Sequence, residues 1–180
     1  MDAFSCAEDS VETDRPAARR ACASLAELYD EHARAVYRLL LAILGSAEDA
    51  QDAMSEVFLK AARQDWRRVR NPRAYLLASA RHQAISMLRR RKRERPVAPS
   101  DIRFFDAGNL DPEHVALAHR VEAALRELPP EQREVVVLKV YEGLTFAEIA
   151  AITRARLNTV ASRYRYAVER LRRALKELSP

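Results

Sequence analysis

Glycine is nearly absent from this chain, with three in 180 residues. Turns that rely on positive φ are therefore few, which favours long helices with short connections over a sheet-rich fold. The remaining composition agrees. Alanine, leucine, arginine and glutamate fill most segments, and all are good helix formers. Hydrophobic residues make up 48% of the chain, enough for compact helical cores. The expected fold class is all-α, and the length allows one domain or two small ones.

Helix signals begin at "SLAE". Ser24 can cap the amide of Glu27, and Glu27 can bond back to the Ser24 backbone. Leu25, Leu28, Tyr29, Val36, Leu39, Leu40 and Ile43 then recur at helical spacing, and Gly45 stands where a C-cap belongs. A second helix starts at Ser46, with Glu48 and Asp49 at the positive end of its dipole. Ala50, Ala53, Met54, Val57, Phe58 and Ala61 form its inward stripe; Asp52, Ser55, Glu56 and Lys60 lie on the other side. In "NPRAY", Asn71 caps a third helix and Pro72 takes its first position. Leu76, Ala80, Ala84, Ile85 and Leu88 face inward before the helix runs into "RRRKRER" and stops at Pro96.

From Val97 to about Pro112 the periodicity is lost. This stretch reads as a flexible, acidic linker between two helical domains. Phe104 and Phe105 within it are expected to pack locally rather than to bind a ligand. The boundaries are a flexible lead at 1–23, a first domain at 24–95, a linker at 96–112 and a second domain at 113–180. Asp111 and Pro112 start the next helical block, Pro129–Pro130 break it, and Gly143 stops the helix that follows. "TFAE" gives a second capping box, Thr145 with Glu148. The last helix runs from about Leu157 to Leu178, with Val160, Tyr164, Ala167, Val168, Leu171, Leu175 and Leu178 on its core face.

"EIAAITRARLNTVASRYR" has the pattern of a helix-turn-helix. Ile149 and Ile152 face inward on its first helix, Ala150 is small at the close approach, and Val160 anchors the second. That second helix presents Asn158, Thr159, Ser162 and Arg165 near its start, where such a helix meets base edges. Arg154 occupies the turn position usually held by glycine. Either the turn is reshaped, or Arg154 takes a left-handed conformation at a cost of about 1 kcal/mol or somewhat more. From Arg154 to Lys176 eight basic residues face one acid, Glu169, the imbalance that phosphate neutralisation needs. The competing reading is a helical hairpin used only for packing.

A second basic run closes the third helix: seven basic residues and one acid between Arg81 and Arg95. Tyr75, His82, Gln83 and Ser86 precede or interleave it. Such a surface can track phosphates while an aromatic or amide group holds an unpaired base. Taken alone, a run of this kind is often only a solvated face. Two basic surfaces on two domains imply a polyanion gripped at two places, which agrees with the formal net charge of +5.

Other function classes find little support. His114 and His119 are five apart, poor spacing for a shared metal on one helix face. No phosphate-cradling glycine loop or nucleophile–base pair stands out, so no enzyme activity, cofactor or metal is expected. Cys6 and Cys22 form no CxxC pair and read as free thiols of a reducing compartment. The start of the chain lacks a secretory pattern, and "LLLAIL" is too short to span a bilayer. The expected location is cytoplasmic, without membrane insertion.

"SLAELYDEHARAVYRLLLAILGSAEDAQDAMSEVFLKA" followed by "NPRAYLLASARHQAISMLRRRKR" resembles the second conserved domain of bacterial RNA polymerase sigma factors. "ALRELPPEQREVVVLKVYEGLTFAEIA" through "NTVASRYRYAVERLRRAL" resembles their fourth. With only these two domains the chain is similar to the small extracytoplasmic-function (group 4) type, over about Ser24 to Leu175. The resemblance implies promoter recognition and strand opening with core polymerase. It places Asp52, Ser55 and Glu56 at the clamp helices of the largest polymerase subunit. It assigns Tyr75, Arg81, His82, Ser86, Arg89 and Arg90 to the −10 element. To the −35 element it assigns Arg154, Arg156, Asn158, Thr159, Ser162, Arg163 and Arg165. It implies RNA polymerase core and promoter DNA as partners, and commonly an anti-sigma factor. The family usually has glutamine at Ser55, and often asparagine at His82, aspartate at Ser86, lysine at Ala161 and glycine at Arg154. The departures at Ser55, His82 and Ser86 motivate an alternative, a sigma-like decoy that binds an anti-sigma factor without initiating transcription.

Overall fold

A computed structural model of the protein describes residues 24–94 and 112–177. The N-terminal lead, both cysteines, Phe104, Phe105 and Leu178 lie outside the described residues, as does the linker apart from Pro112, which opens a helix. All regular elements described are helical. They are α1 (Leu25–Leu44), α2 (Ala47–Ala62), a single 3-10 turn (Trp66–Arg68), α3 (Pro72–Glu94), α4 (Pro112–Arg126), α5 (Pro130–Val136) continued by a π turn (Val137–Tyr141), α6 (Phe146–Thr153) and α7 (Leu157–Glu177).

The expected caps form. Ser24 and Glu27 close a reciprocal capping box on α1, and Thr145 and Glu148 do the same on α6, each satisfying two orphan amides. Asn71 accepts from the amide of Ala74 at 3.0 Å. Gly45 and Gly143 adopt left-handed conformations with φ of 69° and 66°. At Gly143 this lets the Leu144 amide reach back to Leu138 at 3.1 Å, the long return bond of a helix-terminating motif. Nothing lies within 4 Å of where a Cβ would stand at Gly143, so its role is conformational.

Helices α1, α2 and α3 pack on one another, and α4 to α7 form a second group. The two groups share one continuous apolar core. In α1, Leu39, Leu40, Leu41, Ala42 and Ile43 are all buried. Consecutive helical residues point about 100° apart, so a buried run of five means that this end of α1 is enclosed on all sides. The sequence stripe accounts for Leu39, Leu40 and Ile43, which suit a helix covered on one face. Leu41 and Ala42 lie off it. The extra cover comes from the other group, since α1 packs against α5 and the π turn as well as against α2 and α3.

Candidate nucleic-acid interface

The helix-turn-helix is present as α6 and α7. Ile149 and Val160 are fully buried and Ile152 nearly so, which sets the crossing of the two helices. Arg154 has φ 52° and ψ 36° and is the one non-glycine with positive φ among the described residues. The turn is thus kept in its left-handed form rather than reshaped. The next amide, of Ala155, returns to the Ala150 carbonyl at 3.2 Å.

Around this turn Arg154, Arg156, Asn158 and Arg165 are exposed, while Thr159, Ser162 and Arg163 are half-buried. Two of these side chains are already engaged. Ser162 donates its hydroxyl to the Thr159 carbonyl at 3.0 Å, and the Arg165 guanidinium lies 5.1 Å from the Tyr166 ring centre. That stacking holds the cation on the helix surface with its remaining donors open to solvent.

On α3, Tyr75, His82, Ser86 and Arg89 follow spacings of seven, four and three and so share one face. His82, Ser86, Arg89 and Arg90 are exposed. Tyr75 is held in place: its hydroxyl donates to Gln64 Oε1 at 3.1 Å, and its ring meets Trp66 edge-on at 5.4 Å. Trp66 is fixed in turn by its indole N–H on the Ala61 carbonyl at 3.0 Å. Aromatic and amide groups thus stand beside a basic stripe, the combination that captures unpaired bases.

Arg81 is placed apart from that face. Its Nε donates to Glu134 Oε1 at 2.6 Å, across from α3 to α5. Burial pushes the Glu134 carboxyl above the usual carboxylate range, with Arg81 and, further off, Arg163 pulling the other way. Arg91, within the same basic run, forms a two-pronged pair with Asp49. Asp49 is buried, so beyond its expected dipole role it ties the start of α2 to the basic end of α3.

On α2, Asp52, Ser55 and Glu56 are exposed together on one face. Ser55 turns its hydroxyl back to the Gln51 carbonyl at 3.1 Å, leaving the two carboxylates as the outward polar groups. Leu59 continues the face and is 60% exposed. Leu59 and Gln64 were not anticipated from the sequence. Leu59 carried a signal, an apolar residue off the buried stripe and three beyond Glu56. Gln64 carried none, because its role arises from contact with α3. Trp66 was noticeable only as an aromatic near Ala62, where the resembled family commonly places one after Ala61; its contact with Tyr75 was not readable.

Among the described residues no group of three or more histidine, cysteine or acidic side chains could hold a metal ion, and no helix is long and apolar enough to cross a membrane.

Comparison with known proteins adds to this geometry. Residues 28–94 match the family model of Sigma-70 region 2, and residues 118–178 that of Sigma-70, region 4. The chain is 34% identical over 172 residues to the ECF RNA polymerase sigma factor SigL of Mycobacterium tuberculosis, covering 90% of this chain and 94% of SigL. It is 35% identical over 156 residues to the ECF RNA polymerase sigma factor SigE of Mycolicibacterium smegmatis, covering 81% of this chain and 59% of SigE. Among solved structures, the sigma factor RpoE from Bartonella quintana, in complex with the anti-sigma factor NepR, superposes with a TM-score of 0.65 at 25% identity, covering 79% of this chain and 90% of RpoE. With both regions matched in order along an all-helical chain, the protein belongs to the extracytoplasmic-function sigma factors of the sigma-70 family, non-enzymatic subunits that direct RNA polymerase in transcription initiation.

Proposed function

We propose that this sigma factor divides its work among three surfaces. The α2 face of Asp52, Ser55 and Glu56, extended by Leu59, docks on the clamp helices of the largest polymerase subunit. The α3 stripe, with Tyr75, His82, Ser86, Arg89 and Arg90, and with Arg81 once it is released from Glu134, recognises the −10 element and holds its opened strand. The start of α7, with Arg154, Arg156, Asn158, Thr159, Ser162, Arg163 and Arg165, reads the −35 element. Residues 24–95 and 113–180 act as the two functional domains.

The observation that carries this reading is the pairing of two exposed, basic, polar-tipped helix faces on two successive halves of the chain. A regulator that uses the helix-turn-helix alone would leave the α3 face and the Trp66–Tyr75 pair without a role. An anti-sigma factor is a further expected partner, in keeping with the complex in which the RpoE relative was solved. The protein works in the cytoplasm, where polymerase and promoter are found.

The test is promoter affinity as a function of salt. Arg165→Ala should weaken binding of a −35 duplex and reduce the salt slope by about one. An unchanged affinity and slope would remove Arg165 from the DNA surface.

A further inference from the structure

Two side-chain bonds tie the end of α2 to the outer face of α3. One joins Gln64 to Tyr75. The other lies one turn earlier on α2 and about two turns later on α3, where Lys60 Nζ donates to Gln83 Oε1 at 2.7 Å. Lys60 is exposed and Gln83 half-buried. Gln83 stands three residues before Ser86 and seven before Arg90, so it shares their side of the helix. It marks the edge of the polar stripe that borders α2. From Tyr75 it is about 12 Å along the helix axis, far enough for the two side chains to meet different nucleotides.

The chemistry of the Lys60 bond fixes which way the Gln83 amide points. An ammonium carries donors and no acceptor, so the atom facing it must be the amide carbonyl oxygen. The Nε2 group is thereby turned away from Lys60. It makes no hydrogen bond among the described residues and is not one of their buried, unpartnered groups, so it is open to solvent. A free glutamine offers an acceptor and a donor side by side, the pattern that suits adenine. Here the acceptor is taken. What the edge of the stripe presents is donors: the Nε2 amide of Gln83, the other N–H groups of Lys60 and, further along, the Arg90 guanidinium.

We propose that Gln83, oriented by Lys60, is a specificity residue for the opened −10 strand, admitting a base that carries a carbonyl oxygen and rejecting adenine. The assignment rests on the reading of α3 as the strand-capture surface. An unpaired base exposes its Watson–Crick and Hoogsteen edges to such contacts. Cytosine, thymine and guanine each have a carbonyl oxygen that can accept from Nε2. In cytosine and guanine a ring nitrogen beside that oxygen can accept a second bond. Adenine has no carbonyl. Its N1 and N7 acceptors both stand beside the N6 amino group, which would meet Nε2 or the Lys60 ammonium donor against donor. Gln83 touches the base, whereas Lys60 acts through Gln83 and is a positioning residue.

The test uses the full chain bound to purified core polymerase, with a pool of short single-stranded DNA randomised at every position. Bound DNA is recovered and sequenced. The parent should enrich a motif in which one position carries adenine at least about fivefold less often than the pool does, the lower end for one base contact. Gln83→Ala should erase that bias at the same position and leave the rest of the motif as it was. Lys60→Met frees the carbonyl for two-pronged pairing and should turn the bias towards adenine. Lys60→Arg, again a group with donors only, should keep the parent's preference, a rescue that a merely structural role for Lys60 would not produce in base choice. Circular dichroism confirms that each variant keeps its helical signal. Identical motifs from the parent and Gln83→Ala, or from the parent and Lys60→Met, would overturn the proposal. Failure of the α3 reading itself shows separately, because Tyr75→Ala would then also leave the motif and its affinity unchanged.

Discussion

The guanidinium of Arg133 donates to the carbonyl of Ala42 at 3.2 Å, tying the start of α5 to the C-terminal end of α1. Its other nitrogen, Nη2, donates to the carbonyls of Arg126 at 3.0 Å and Leu128 at 2.9 Å. One buried cation thus serves three carbonyls, one at the end of α1, one at the end of α4 and one in the turn ahead of Pro130. A positive charge at the end of α1 also suits the negative pole of that helix.

Arg133→Met should therefore cost about 3 kcal/mol of folding stability, since it strips donors from three carbonyls in one place. Arg133→Lys should recover little, because a single ammonium cannot reproduce the planar fork. Urea denaturation of both variants measures this. A loss below about 1 kcal/mol for Arg133→Met would show that water replaces the arginine at all three carbonyls.

Arg154 separates stability from binding. Arg154→Gly relieves a left-handed residue and should stabilise the fold by roughly 0.5–1 kcal/mol, even though glycine loosens the unfolded chain. It also removes an exposed cation beside the start of α7. Thermal melts should move up by about 2 °C while affinity for a −35 duplex falls. A variant equal to the parent in both respects would mean that Arg154 neither strains the turn nor meets the DNA.

Glu148 links stability to pH. Hydrogen bonds from the backbone and hydroxyl of Thr145 hold its carboxyl below the ordinary value. A carboxyl depressed in the folded state contributes stability that is present above its unfolded pKa and lost as pH falls through the folded value. Glu148→Gln should thus lose less stability than the parent on going from pH 5 to pH 3. Thr145→Ala, which removes the cap itself, should cost about 1 kcal/mol at neutral pH. Chemical denaturation across that pH range checks both; parallel pH curves for parent and Glu148→Gln would refute the linkage.

Tyr75 is expected to act through its ring. Tyr75→Ala should weaken binding of a single-stranded −10 oligonucleotide by about 10-fold to 100-fold, the range for one base-stacking contact. Tyr75→Phe, which loses only the bond to Gln64, should change it by less than about threefold. Trp66 is the single tryptophan of the chain and lies against the Tyr75 ring, so its fluorescence gives the affinity directly. Equal binding by all three proteins would move the strand-capture surface elsewhere.

The parts of this fold visible in the sequence are the local ones. Ser24 with Glu27 and Thr145 with Glu148 are three residues apart, so their chemistry is written in adjacent letters. The same holds for the helix-turn-helix, whose inward residues Ile149, Ile152 and Val160 lie within one short segment. Glu134 and Glu142 were not legible. Their arginine partners stand 53 and 104 residues earlier for the Arg81 and Arg38 pairs, and no periodicity reports a contact at that range. Leu41 and Ala42 were missed for the same reason, because the stripe of α1 records its own three-helix group and not the second half that covers it. At the candidate DNA surfaces, exposure could be read from helical spacing. The diversion of Arg81 into the interface and the fixing of Tyr75 by Gln64 and Trp66 could not, since both depend on how separate elements meet.

The most direct test of the account is run-off transcription with purified core polymerase on a pool of genomic promoter fragments, comparing the parent with Asn158→Ala and with a His82→Ala, Ser86→Ala double variant. The parent should give discrete start sites, the α7 variant an altered preference confined to the −35 position, and the α3 variant an altered preference confined to the −10 position. Absence of specific transcripts from the folded parent, or variants that change the same element, would contradict it.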